Sequence, residues 1–295
     1  MPQPWVAIQR NPSSGSGKQA GIVIDLIRSL KALGIQPRLY SRREEFDAAV
    51  REPARRESLI GVVAAGGDGT VFDLINRHPD LPICVLPLGT ENLLAKAFQI
   101  PRCGRSVARI IAEGHRQRID AGWINGRRFL IMASAGFDAE VVHHLHAVRR
   151  GRHVRHWTYI RPILDALFPF KPQKLRITVD NQPTVYEGEL AVVANLRAYA
   201  LNLGVVPTAC GTDGMLDARV FRARSLWELL AQFARILTGR HERCPSVIPL
   251  QGKTMRIESD VPVPIQVDGD PAGVTPVEIR VEPLAVEFIL PRSVR

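Results

Sequence analysis

Leu59-Ile60-Gly61-Val62-Val63-Ala64-Ala65-Gly66-Gly67-Asp68-Gly69-Thr70 is the stretch on which the fold turns. An apolar run reads as a buried strand, and two glycines, a carboxylate and a third glycine then open a helix. Glycines let backbone N–H groups approach an anion without Cβ obstruction, and the new helix N-terminus adds the positive end of its dipole. Asp68 would repel a phosphate unless a cation or a proton-carrying partner stood between them. The pattern therefore points to metal–nucleotide chemistry. The same residues also fit a plain strand–helix turn with Asp68 as N-cap.

Working outward, Trp5-Val6-Ala7-Ile8 reads as a short buried strand ending at Asn11-Pro12. A helix follows, with Ile22, Val23, Leu26, Ile27, Leu30 and Leu33 on one face and a stop at Gly34. Residues 35–40 form a second strand, 42–57 a solvated helix, and Leu74-Ile75 belong to the helix begun at the glycine turn. Ile83-Cys84-Val85-Leu86 is the next strand. Strands alternating with helices predict a doubly wound parallel sheet, with ligands at the carboxyl ends of its strands. Loops 11–15, 66–70 and 87–92 fall at that edge.

Past Asp120 the pattern changes. Asn125-Gly126, set between two apolar runs, predicts a type I′ hairpin. Short strand candidates then recur at 174–180, 190–194, 218–221, 255–257, 265–267, 277–281 and 286–290, as in an antiparallel sandwich or barrel. One helix interrupts them. Ser225 and Glu228 form its capping box, Leu226, Leu229, Leu230, Phe233, Ile236 and Leu237 its apolar face, and Gly239 its end. The boundary near Asp120 divides the chain into domains at 1–120 and 121–295.

The chain has 295 residues, 45% hydrophobic and 23% charged, with a formal net charge of +10. The charge favours anionic partners such as nucleotide, acidic lipid or nucleic acid. No secretory leader and no bilayer-length apolar run is read, and the four cysteines are scattered without a C-x-x-C pair. A cytoplasmic location is expected.

Gly15-Ser16-Gly17-Lys18 has the look of a Walker A loop, but Pro12 stands where that motif needs glycine and Gln19 where it needs Ser or Thr. Asn-Pro-Ser-Ser-Gly at 11–15, Gly-Gly-Asp-Gly-Thr at 66–70 and Leu-Gly-Thr-Glu-Asn at 88–92 instead occur in order. Ile119–Gly122, Ala133–Ala139, Asp213–Asp217 and Val267–Asp270 follow. This set resembles the diacylglycerol kinase catalytic-domain family, which includes bacterial YegS-like lipid kinases and sphingosine kinases, over nearly the whole chain. The resemblance implies an NAD kinase-like α/β domain followed by a mostly antiparallel β-sandwich. It implies an ATP- and Mg²⁺-dependent kinase acting on a hydroxyl of a diacylglycerol-like or long-chain-base lipid in the cleft between domains.

By the same resemblance, Gly66, Gly67, Asp68 and Gly69 grip the ATP phosphates and their Mg²⁺, with Thr70 at the helix start. Thr90, Asn92 and Asn11 lie on the nucleotide, and Ser41 matches a position usually filled by threonine. Asp213, with backbone carbonyls of Met215 and Cys210, resembles a structural Mg²⁺ site, although an Asp-Gly pair is also an ordinary hairpin turn. Asp268-Gly269-Asp270 matches the family's Asp-Gly-Glu, whose glutamate is usually assigned as general base. Either Asp270 or Asp268 takes that role here. Two positions depart from the family: Asp270 is one methylene shorter than glutamate, and Leu93 follows Asn92 where many bacterial members carry aspartate.

The stretch His143–Trp157 gathers five histidines and four arginines. It reads as a solvated basic face, a zinc site without a recognised spacing, or a surface for anionic head groups at the inner membrane face. Trp157, Tyr159 and residues 164–170 are candidates for interfacial anchoring or for core. No nucleic-acid reader motif is present, and a homodimer stays open. Two alternatives to the lipid kinase are carried: an NAD kinase-like phosphotransferase on a soluble acceptor, and a catalytically impaired nucleotide- or lipid-binding protein.

Overall fold

The computed structural model describes residues 3–11, 19–148, 171–198 and 203–292, with only the backbone at 145–148. Two compact units emerge: Met1–Ile119 together with Leu284–Arg295, and Asp120–Pro283.

In the first unit, β1 (Trp5–Arg10), α1 (Ala20–Ala32), β2 (Gln36–Tyr40), α2 (Arg43–Arg51) and α3 (Pro53–Arg56) come first. β3 (Leu59–Gly66), α4 (Asp68–Arg77), β4 (Ile83–Pro87), α5 (Leu93–Ala97) and α6 (Gly104–Glu113) follow. The strands lie in the order β2-β1-β3-β4, all parallel. Val62 through Gly66 and all of β4 are buried, as expected of strands covered on both faces. Gly104 opens α6 against the backbone of Ile22 and Leu26 on α1, an approach that a Cβ would obstruct. The single helix expected over 42–57 is instead two. Glu52 is extended before Pro53, which starts α3 at its first position, because the proline ring disfavours helical backbone in the preceding residue.

The second unit runs through β5 (Arg116–Ile124, which enters it at Asp120), β6 (Arg127–Phe129), β7 (Met132–Gly136) and α7 (Phe137–Val148). Next come β8 (Leu175–Val179), β9 (Tyr186–Gly188), β10 (Leu190–Ala194), β11 (Leu216–Phe221) and α8 (Leu226–Leu237). β12 (Val247–Gly252), β13 (Thr254–Ser259), β14 (Pro264–Val267), β15 (Asp270–Val274) and β16 (Val277–Ile289) complete the chain. One antiparallel sheet has the order β12-β11-β10-β7-β14-β15. A second set joins β9, β8, β13 and the start of β16, also antiparallel. Apolar side chains of both sets, among them Ile177, Val193, Val220, Ile257 and Ile279, share one core, which makes the unit a β-sandwich. Asn125 and Gly126 both have positive φ, as the predicted hairpin between β5 and β6 requires.

The last strand corrects the division at residue 120. After Pro283 the chain returns to the first unit, where Phe288 pairs in parallel with Ile83 and its ring lies 5.1 Å from that of Phe98. Val286, Phe288, Ile289 and Leu290 are fully buried there. An apolar strand pattern states that a strand is buried, not which sheet receives it.

Candidate active site

In the first unit, the parallel strands bring their carboxyl ends to one edge, and the expected nucleotide residues lie along it. Ser41 follows β2 and is exposed, Asn11 follows β1 and is half-buried, and Thr90 lies exposed beyond β4. The Asn11 N–H donates to Ala65 O, 3.2 Å away on the neighbouring strand. Residues 12–18, including most of the Asn-Pro-Ser-Ser-Gly loop, lie outside the described residues.

β3 ends at Gly66, and Gly67 is the N-cap of α4. The loops after β3 and β4 are packed back to back. A Cβ on Gly89 would stand 2.6 Å from the Cα of Gly67, and Leu88 N–H donates to Gly66 O at 2.8 Å. Asn92, in the left-handed region at φ 51°, clamps its own loop: Gly89 N–H donates to its Oδ1 and its Nδ2 donates to Gly89 O, both at 2.8 Å. Asp68 ties the two loops together by accepting N–H bonds from Leu93 at 2.9 Å and Leu94 at 3.0 Å. Burial raises its carboxyl above the usual carboxylate range, against these two N–H groups and the charge of Lys96, which pull the other way.

Two features of this turn are not used by the protein itself. The Thr70 hydroxyl is buried without a hydrogen-bond partner, a costly state for a polar group. Gly69 has no positive φ, and a Cβ there would meet nothing within 4 Å. Neither backbone strain nor packing demands glycine at 69, so its bare backbone faces open space at a helix N-terminus. An anion with several acceptor oxygens, such as a nucleotide phosphate, fits both features.

In the second unit, Asp268 and Gly269 form the positive-φ turn between β14 and β15, with Val267 paired to Asp270. Asp268 is partly exposed as a residue, but backbone N–H groups close around its carboxylate. Its carboxylate accepts N–H bonds from Leu130 at 2.9 Å and from Ile131 and Met132 at 3.0 Å. Burial pushes its carboxyl up to about 7, even though those N–H groups and the Arg127 charge favour ionisation. Asp270 is half-exposed, with the Arg127 guanidinium 3.7 Å from its carboxylate. Gln266, itself buried, steadies the turn from below. Its Oε1 accepts from Gly269 N–H at 2.9 Å, while its Nε2 donates to Ser134 Oγ at 2.8 Å and Asp138 Oδ2 at 3.0 Å.

Asp213, Met215 and Cys210 share another turn. Asp213 is exposed and accepts from Met215 N–H at 3.0 Å, and Cys210 Sγ lies 3.5 Å from Thr212 Oγ1. The turn rests on buried Asp120, whose carboxylate accepts from Gly214 N–H at 2.7 Å. Among the described residues, no group of three or more His, Cys, Asp or Glu side chains is arranged to hold a metal.

A family model described as the diacylglycerol kinase catalytic domain matches residues 6–124, and the YegS C-terminal NAD kinase beta sandwich-like domain matches residues 131–290. The chain belongs to the diacylglycerol kinase family. A diacylglycerol kinase of Mycobacterium tuberculosis (strain ATCC 25618 / H37Rv) is 30% identical over 292 residues, covering 96% of this chain and 94% of its own. A diacylglycerol kinase of Staphylococcus carnosus (strain TM300) is 27% identical, covering 97% and 94%. A crystal structure of a diacylglycerol kinase from Bacillus anthracis str. Sterne superposes over the full length of both chains with a TM-score of 0.71 at 18% identity, which speaks for the fold.

As a diacylglycerol kinase family member, the protein is a lipid kinase. Its described residues gather Asn11, Ser41, Gly66–Thr70, Thr90 and Asn92 at one sheet edge in the first unit. In the second unit they separate Asp268, enclosed by backbone, from Asp270, open to solvent. Gln266, Ser134 and Asp138 escape sequence reading as supports of that turn, because a buried polar contact between distant strands leaves no local spacing signal. The Asp47–Arg77–His78 cluster, which joins α2 to the end of α4, likewise leaves no local spacing signal. His78 Nε2 lies 2.7 Å from Asp47, and Arg77 reaches Asp47, Asp73 and Gln9. Of the basic stretch, residues 149–157 lie outside the described residues, as do Tyr159 and 164–170. Among the described residues no helix is long and apolar enough to cross a membrane.

Proposed function

We propose that this kinase transfers the γ-phosphoryl group of Mg²⁺–ATP to a hydroxyl of a diacylglycerol-like or long-chain-base lipid drawn from an anionic membrane surface. The observation that carries the reading is the turn after β3, with Gly69 bare toward open space and the Thr70 hydroxyl buried without a partner. Backbone N–H groups of Gly67 and Gly69 would orient the phosphates, and the Thr70 hydroxyl would donate to one of them. Asp68 would hold the neighbouring loop in register through Leu93 and Leu94. Asn11, Ser41, Thr90 and Asn92 would border the nucleotide.

When bound, ATP supplies the phosphoryl group and Mg²⁺ neutralises its charge. On the acceptor side, half-exposed Asp270 is better placed than Asp268, whose carboxylate is occupied by backbone N–H groups, to take the proton of the lipid hydroxyl, with the Arg127 guanidinium 3.7 Å away. Asp268 would hold Asp270 in place. Asp213, with the main-chain carbonyls of Cys210 and Met215, would offer an all-oxygen donor set suited to Mg²⁺.

The test offers γ-labelled ATP with diacylglycerol, sphingosine, ceramide and NAD in separate reactions. Label in a lipid supports the proposal. Label only in NAD would establish a soluble-acceptor phosphotransferase instead, and ATP binding without product would establish an impaired relic.

A further inference from the structure

Helix α8 does not bury the face that its sequence pattern marks as apolar. Its buried residues are Leu229 and Gln232. Leu230, Phe233 and Leu237 are 42%, 48% and 57% exposed, and Trp227 is 79% exposed. At helical spacing these four share one arc about 120° wide. A solvent-facing stripe of this size, with an indole at one end, marks an interaction surface.

The surroundings of the stripe are basic. Arg224 precedes the helix, Arg235 lies in its last turn, and Arg240 and Arg243 follow; all four are exposed. The acids in the same segment are engaged locally. Glu228 accepts the N–H of Arg224 at 2.7 Å as part of the cap, and Glu242 is held by the buried Arg219 at 2.7 and 2.8 Å. Arg224 also lies 3.8 Å from Glu189, while its side chain stays 80% exposed.

We propose that α8 is a docking helix that lies in the surface of a bilayer containing anionic phospholipid. Trp227, Leu230, Phe233 and Leu237 would enter the acyl boundary, with the arginines at head-group level. An apolar stripe, a tryptophan and cations at both ends are the components of an interfacial helix. A second copy of the chain suits the stripe less well. A two-fold antiparallel contact along α8 would bring Arg224 of one copy toward Arg240 and Arg243 of the other. The inference rests on the reading that the acceptor is a membrane lipid, but its measurement does not depend on catalysis.

The test is co-sedimentation of the full-length protein with vesicles of phosphatidylcholine, with and without phosphatidylglycerol. Wild type is expected to bind the phosphatidylglycerol vesicles. The double variant Trp227→Ser/Phe233→Ser should bind roughly a hundredfold more weakly. Arg235→Gln, Arg240→Gln and Arg243→Gln together should cost roughly fivefold per charge at low salt. In the double variant, phosphorylation of long-chain diacylglycerol in vesicles should fall with binding, and that of a short-chain diacylglycerol in solution should not. Equal vesicle binding by wild type and double variant would overturn the proposal, as would no binding by wild type. A wild-type dimer that the double variant dissociates, with vesicle binding unchanged, would assign the stripe to a second copy and overturn it too. Vesicle binding that depends on Trp227 and Phe233, with no lipid phosphorylated, would uphold the docking helix and refute the kinase reading alone.

Discussion

Gly67 and Gly89 stand back to back across two loops, so that a Cβ on Gly89 would lie 2.6 Å from the Cα of Gly67 and 2.9 Å from Asn92 Oδ1. Neither obstacle is the end of a flexible side chain: one is backbone, and the other is held by two hydrogen bonds to Gly89 itself. The replacement Gly89→Ala must therefore push the loops apart. It should destabilise the protein by about 1–3 kcal/mol, as overpacking does, and lower its phosphotransfer rate. Chemical denaturation measures the first and a coupled ATPase-type assay the second.

Gly69 should behave in the opposite way. A Cβ there meets open space within helix α4, so Gly69→Ala should keep or raise stability, by up to about 1 kcal/mol from helix propensity. If phosphate approaches the bare backbone, the same change weakens ATP binding. Calorimetric titration with Mg²⁺–ATP beside a melting curve separates the two effects.

Much of the first unit was legible because its signals are local. An apolar run, a glycine turn and a helix periodicity place β3, the turn and α4 without knowledge of the rest. The return of β16 to the first unit was not legible, since its alternation is the same whichever sheet receives it. The exposed side of α8 was hidden for a related reason: periodicity marks an apolar stripe but does not say whether anything covers it. The site motifs were visible as residue types in order, whereas the contrast between Asp268 and Asp270 depends on the N–H groups of residues 130–132 that a distant strand start brings to Asp268 alone, which a two-residue spacing cannot carry.

Asp268 accepts three backbone N–H bonds, and Asn in its place would turn an NH₂ toward at least one of those donors. Asp268→Asn should cost about 1–3 kcal/mol. The pH dependence has a definite sign. The folded-state pKa is raised from 3.8 to about 7, so the native state holds a proton that the unfolded chain releases. The contribution of Asp268 to stability is full below pH 3.8 and is lost as pH rises toward 7. That downward slope should be missing in Asp268→Asn, as measured by denaturant midpoints across the range.

Asp47 should act with the other sign. Burial raises its carboxyl, but the hydrogen bonds from His78 and Arg77 and the Arg77 charge outweigh it and leave the pKa below 3.8. Its contribution is present above pH 3.8 and is lost as pH falls through the depressed value. Asp47→Asn should reduce stability at neutral pH by about 1.5–3 kcal/mol and flatten the acid limb of the stability curve.

Asp270 is half-exposed, and among the described residues its carboxylate has a long ion pair to Arg127. Asp270→Asn should leave stability within about 0.5 kcal/mol of wild type and cut kcat by roughly 10²–10⁴. Full turnover in Asp270→Asn would move the proton acceptor elsewhere.

The most direct measurement is the initial rate of label transfer from γ-labelled ATP into diacylglycerol by wild type and by Gly69→Val, each checked for an unchanged melting temperature. A phosphate-gripping turn in a lipid kinase predicts labelled lipid with wild type and at least a roughly tenfold slower rate with the variant, of the order that removing transition-state donors produces. Equal rates from the two proteins, or no labelled lipid from wild type, would contradict it.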